Sequence, residues 1–93
     1  MKLRDVRAAV ENVEAIFVLL GPSEEFLREF RERSRAIGRA VIREHEWTHE
    51  QAAEILTRPS SDEVVLGDGA LVKFTEFKDW LAQQDLHSLS GRP

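Results

Sequence analysis

Between two long amphipathic stretches lies Gly21-Pro22-Ser23, and this break constrains the fold more than any other feature. Leu3, Val6, Val10, Val13, Phe17 and Leu20 recur at spacings of three and four, which is one face of an α-helix. Gly suits a helix C-cap, and Pro22 cannot continue the hydrogen-bond ladder. Ser23 then reads as an N-cap, with Glu24 and Glu25 well placed against the next helix dipole. The second helix is expected to run to about Arg43–Glu46, with Phe26, Phe30, Ile37 and Val41 as its core stripe. A three-residue connection between two such helices implies an antiparallel helical hairpin. The end of the first helix, Ala15 to Leu20, is apolar all round, so cover on several sides is expected there. Ile, Phe and Val at 16–20 also admit a strand, but the unbroken period favours helix.

Thr48 starts a new element. Thr48-His49-Glu50-Gln51 is a capping-box pattern, with Trp47 and Ala52 placed as a hydrophobic staple, so a short helix is expected over about His49 to Thr57. Beyond Pro59 and the loop Ser60-Ser61-Asp62, two apolar runs, Val64–Leu66 and Ala70–Phe74, flank Gly67-Asp68-Gly69. That arrangement reads as a two-stranded β-hairpin. Thr75 would cap a last helix, about Glu76 to Gln84, with Phe77, Trp80 and Leu81 inward. The expected fold class is therefore α+β, mainly helical: a helical hairpin, a short helix, a β-hairpin and a C-terminal helix. The expected organisation is a single domain over 1–86, made of a helical hairpin (1–46) and a helix–β-hairpin–helix unit (47–86). Residues 87–93 are expected to be a flexible tail.

Composition narrows the chemistry. The 93 residues contain no cysteine, which removes disulfides, thiolate metal sites and cysteine nucleophiles. The charged N-terminal stretch does not read as a signal peptide, and the longest apolar run is far short of the roughly 20 residues that span a bilayer. A cytoplasmic location without membrane contact is the resulting expectation. A net charge of −4 argues against broad, non-specific nucleic-acid binding. A domain of this size buries only about two thirds of its unfolded surface, so a homodimer is a natural expectation.

Against that acidic balance, one basic feature stands out. Arg28, Arg31, Arg35, Arg39 and Arg43 follow one another at spacings of 3, 4, 4 and 4, forming a ridge opposite the expected core stripe. Like charges at i and i+4 cost an isolated helix a few tenths of a kcal/mol each. An acidic counterpart is expected to face them, from Asp62, Glu63, Asp68, Glu76 and Asp79, from a second subunit, from an acidic protein or from a phosphate backbone. Trp47, close to the end of the ridge, is a candidate contact residue.

His45-Glu46-Trp47-Thr48-His49 resembles the zincin metallopeptidase signature H-E-x-x-H. The resemblance implies zinc held by His45 and His49, with Glu46 as general base. That chemistry needs both histidines on one helix, whereas a cap at Thr48 divides them. Glu54, Glu63, Glu76 and His87 are the only other ligand candidates. Trp47 to Leu56 resembles the second helix of a phage-repressor-type helix-turn-helix, and the expected hairpin with its final helix is similar to the close of excisionase-type winged domains. That resemblance implies a DNA-binding or antitoxin-like regulator, although no reading helix is expected directly after Leu56. No serine nucleophile has an elbow context. The reading that joins these features is a small non-enzymatic interaction or regulatory protein, of bacterial or phage type, without cofactor. It binds an acidic protein partner through Arg28, Arg31, Arg35, Arg39, Arg43 and Trp47. A DNA-binding regulator and a zinc-dependent hydrolase using HEWTH are the alternatives.

Overall fold

The structure is a computed structural model that describes residues 1–84, and among these it is mainly helical, with four α-helices and no sheet. Helix α1 spans Leu3–Leu20, α2 Glu24–Glu44, α3 His49–Leu56 and α4 Asp68–Ala82, with a 3-10 turn at Pro59–Glu63 between α3 and α4. The first break forms as its residues dictate. Gly21 takes the left-handed conformation at φ 56° as the C-cap of α1, and the Ser23 side chain accepts a hydrogen bond from the Phe26 amide at 3.1 Å.

The expected β-hairpin is absent. Residues Asp68–Phe74 are the first half of α4, which begins at Asp68 instead of Glu76. Two contacts distant in sequence account for the difference. Val64-Val65-Leu66 does pair as extended chain, but with the N-terminus: the Leu3 amide donates to the Val64 carbonyl at 2.7 Å and the Leu66 amide to the Met1 carbonyl at 2.9 Å. The result is one isolated antiparallel bridge, Lys2 to Val65. The amides expected in a turn at Gly67-Asp68-Gly69 instead start a helix, because Glu44 at the end of α2 caps it. The Glu44 carboxylate accepts from the Gly67 amide at 2.9 Å and from the Ala70 amide. This satisfies donors that the first turn of any helix leaves open, and the carboxylate sits at the positive end of the helix dipole. A Cβ on Gly67 would lie 2.9 Å from that carboxylate, and one on Gly69 3.0 Å, so both glycines make room for the cap.

The core forms chiefly between α2 and α4, the most extensive helix pair. Phe26, Phe30, Ile37 and Val41 of α2 are buried together with Ala70, Phe74 and Phe77 of α4. Phe30 meets Phe77 at 5.6 Å between ring centroids, and Phe26 stacks on Trp80 at 5.0 Å. Helix α1 joins this cluster through Phe17, whose ring meets Phe30 edge-on at 4.9 Å. Only Leu3 and Val6 of α1 are buried. Contrary to the cover expected around its last turns, Val18 is 87% exposed and Leu19 83%.

Polar contacts fix the N-terminal half of α1. Arg7 donates to the Ser61 hydroxyl at 2.7 Å, to Asp62 at 2.6 Å and to the Leu56 carbonyl at 2.8 Å. Ser61 is buried, and its hydroxyl in turn donates to the Arg58 carbonyl. Lys2 and Arg4 both pair with Glu63. No helix among the described residues is long and apolar enough to cross a membrane. The expected tail at 87–93, and with it His87, lies outside the described residues.

Candidate protein-interaction surface

The five ridge arginines are all exposed on α2, on the side away from the buried Phe26, Phe30, Ile37 and Val41. The helix period produces this directly: at about 100° per residue the two sets fall on opposite faces. Among the described residues, only Arg39 has an ion-pair partner, Glu32 at 2.8 Å. Arg28, Arg31, Arg35 and Arg43 have none within 4.0 Å among those residues. A shallow depression beside Leu27 is lined by Arg28, Arg31 and Arg35 with Glu24 and Glu32. Its basic and acidic groups are close neighbours, but no pair among them is in contact.

Three of the five acidic residues that the sequence offered as intramolecular counterparts are engaged elsewhere. Asp62 pairs with Arg7, Glu63 with Lys2 and Arg4, and Glu76 with Lys73 at 3.5 Å. The Lys2 ammonium, which donates a hydrogen bond to Glu63, together with its charge and that of Arg4, holds the Glu63 carboxyl below the ordinary glutamate value. These basic groups belong to α1, its N-cap Lys2 and α4, and Asp68 and Asp79 have no ion pair among the described residues, so none of the five is within 4.0 Å of a ridge arginine.

Trp47 occupies the junction between α2 and α3. It is half-buried against the core, and its indole stacks on the His45 ring at 4.7 Å. His45 ends α2 as the C-cap, and its Nδ1 lies 2.9 Å from the Val41 carbonyl. Glu46 adopts a left-handed backbone at φ 57°, which breaks the helical path. Thr48 then caps α3 with the complete capping box: its hydroxyl accepts from the Gln51 amide at 3.1 Å, and the Gln51 side chain accepts from the Thr48 amide at 2.9 Å. His45 therefore closes α2 as its C-cap and His49 opens α3, with the helix broken between them. The shared helical face on which H-E-x-x-H chemistry depends is not formed. Among the described residues no group of three or more His, Asp or Glu side chains is arranged to hold a metal ion.

The helix-turn-helix resemblance also meets a specific geometry. Helix α3 is followed by the 3-10 turn, and the next helix, α4, buries Ala70, Phe74 and Phe77 in the core. Its remaining charged positions are mixed, with Lys73, Lys78, Asp68, Glu76 and Asp79. A helix committed to the core on one face and near-neutral on the others is a poor match for a DNA-reading element.

Sequence reasoning missed Glu44 and Arg7, each of which joins distant parts of the chain. No local motif marks Glu44. The nearest signal was the close pair of glycines at 67 and 69, which a turn explained equally well. Compared with protein-family models, with curated proteins and with solved structures, the chain matches none.

Proposed function

We propose that this chain is a non-enzymatic interaction protein whose α2 arginine ridge docks an acidic surface on a partner protein. The observation that carries the reading is the run of exposed arginines Arg28, Arg31, Arg35 and Arg43, which have no ion-pair partner among the described residues, while Asp62, Glu63 and Glu76 pair with basic groups elsewhere. Arg presents a planar fork of donors that suits bidentate binding of carboxylates, and it loses less on ordering than Lys. Held on one rigid helix, successive guanidinium groups stand about 6 Å apart along the axis, a spacing that an acidic helix can match. Trp47, at the C-terminal end of the ridge, supplies the apolar anchor that such surfaces use. The net charge of −4 favours a discrete basic stripe recognised by a protein over delocalised attraction to nucleic acid.

Binding to a helical glutamate-rich peptide and to duplex DNA, each followed against salt, tests this. The expected result is salt-dependent peptide binding that weakens by about tenfold or more in Arg31→Glu/Arg35→Glu, with DNA bound more weakly than peptide. Equal peptide binding by the double variant, or tighter binding to DNA than to peptide, would overturn the proposal.

A further inference from the structure

The back of α1 carries a second apolar stripe that the fold does not use. Ala8, Asn12, Ala15, Ile16 and Leu19 fall within one arc of the helix, roughly opposite the core-facing Leu3, Val6, Val10, Val13 and Phe17. All five are exposed, Leu19 at 83%. Ala8, Asn12, Ala15 and Leu19 are spaced 4, 3 and 4, the seam spacing of paired helices. We infer that this face pairs with the same face of a second copy of the chain, antiparallel, with Leu19 of each copy packed over Ala8 of the other.

Three features of the stripe select this occupant. Side-chain size is graded along it: Ala8 lies in the N-terminal half, and Ile16 and Leu19 lie at the C-terminal end. A two-fold antiparallel pair sets the large end of each helix over the small end of the other, the large-against-small interdigitation of close packing. A parallel pair would set large on large and leave a gap between the alanines. Asn12 is the one polar residue inside the stripe, near its middle; in this register it lies opposite Ala15 of the second copy, and the two Asn12 side chains straddle the two-fold axis about 4.5 Å apart along the helix. A buried amide in a helix seam is tolerated where a second amide lies within reach across the axis, and this fixes register. Charge is also kept aside: Glu11 borders the stripe, Glu14 lies outside it, and no charged residue follows in the helix. Asp5, on the same side at the other end, falls beyond the end of the paired helix in this register. Its carboxylate is already bonded to the Lys2 amide at 2.8 Å.

An 18-residue helix is about 27 Å long, and a strip on one such helix is small beside the interfaces of permanent dimers. The pair is therefore a reversible one that dissociates on dilution. It uses a different helix from the arginine ridge, so either can fail without the other.

Two measurements on the full chain decide it. Sedimentation equilibrium from the micromolar to the millimolar range is expected to show a monomer–dimer equilibrium that Leu19→Asp abolishes, with unchanged helical circular dichroism. Leu19 is exposed in the single chain, so that variant should fold. The cysteine-free sequence then allows the register to be read by oxidation of single-cysteine variants. Ala8→Cys and Leu19→Cys should crosslink when mixed and not when oxidised separately, because a disulfide requires closely opposed backbones. A monomer at every concentration, a dimer that survives Leu19→Asp, or separate self-crosslinking of Ala8→Cys would each overturn the inference.

Discussion

Helices α1 and α4 show the same apolar spacing of three and four, yet they are held in different ways. Helix α4 buries Ala70, Phe74 and Phe77 fully against α2, and even its N-terminus is closed by the Glu44 carboxylate. Helix α1 buries only Leu3 and Val6, is fixed by Arg7, Lys2 and Arg4 to the 3-10 turn, and touches the aromatic cluster mainly through Phe17. The contrast teaches that periodicity states which face of a helix wants cover without stating how much cover the rest of the chain provides. A helix with two apolar stripes and one packed stripe is a different object from a helix with one stripe, although both score as amphipathic.

The largest effect should follow from damage to the α2–α4 core. Phe77→Ala removes a side chain at 0% exposure between two helices and should cost about 3–5 kcal/mol, read as a lower midpoint in urea denaturation. An equivalent truncation in α1, Val10→Ala, should cost distinctly less, because Val10 is only half-buried.

Next in size is the helix cap that spans the sequence. Glu44→Ala leaves the Gly67 and Ala70 amides without their acceptor and should cost about 1–2 kcal/mol. Gly69→Ala brings a Cβ to 3.0 Å from the same carboxylate, so it should be less favourable in the wild type than in the Glu44→Ala background, where only the gain in helix propensity remains. That non-additivity, measured in a double-mutant cycle, separates loss of the cap from a general change of helix propensity. Were the two effects to add, the glycines would have another role.

These positions also show where the sequence was readable. Gly21, Ser23 and Thr48 mark element boundaries correctly because capping is settled within four residues. The β-hairpin was misread because its evidence was local while its outcome was not. Val64–Leu66 found a partner some sixty positions earlier, at Met1–Leu3, and the turn glycines became a helix start under a carboxylate from α2. A helical signal was present across Ala70, Phe74, Phe77 and Leu81, spaced 4, 3 and 4, but β-branched residues and the Gly-Asp-Gly turn outweighed it. The arginine ridge was legible because exposure opposite a core stripe follows from the helix period alone. The commitment of Asp62 and Glu63 to α1 was not, because it depends on which helices meet.

A smaller effect is expected from the polar clamp on α1. Arg7→Met keeps the aliphatic stem but loses the donors to Ser61, Asp62 and the Leu56 carbonyl, and should cost about 1–2 kcal/mol. The loss should appear as faster hydrogen exchange in α1 with little change in α2 and α4.

The smallest effect is a pH dependence at Glu63. Its carboxyl is held below the ordinary value first by the hydrogen bond from Lys2 and then by the charges of Lys2 and Arg4, against weaker opposition from burial and Asp62. A depressed carboxylate stabilises the fold above its unfolded value, and that contribution is lost as pH falls through the folded value. Wild type should therefore lose stability relative to Glu63→Gln as pH drops below about 4.5. Because both groups are exposed, the difference should be slight and should shrink further in high salt.

Native-state hydrogen exchange at two protein concentrations tests the comparison of the two helices most directly. In dilute solution, amides from Val10 to Leu20 should exchange through local opening, well before those of Phe30–Val41 and Phe74–Phe77, which should require global unfolding. At high concentration the α1 amides alone should slow as their exposed face is covered by a second copy. Protection of α1 equal to that of α2 and α4 in the dilute sample, unchanged on concentration, would contradict the account.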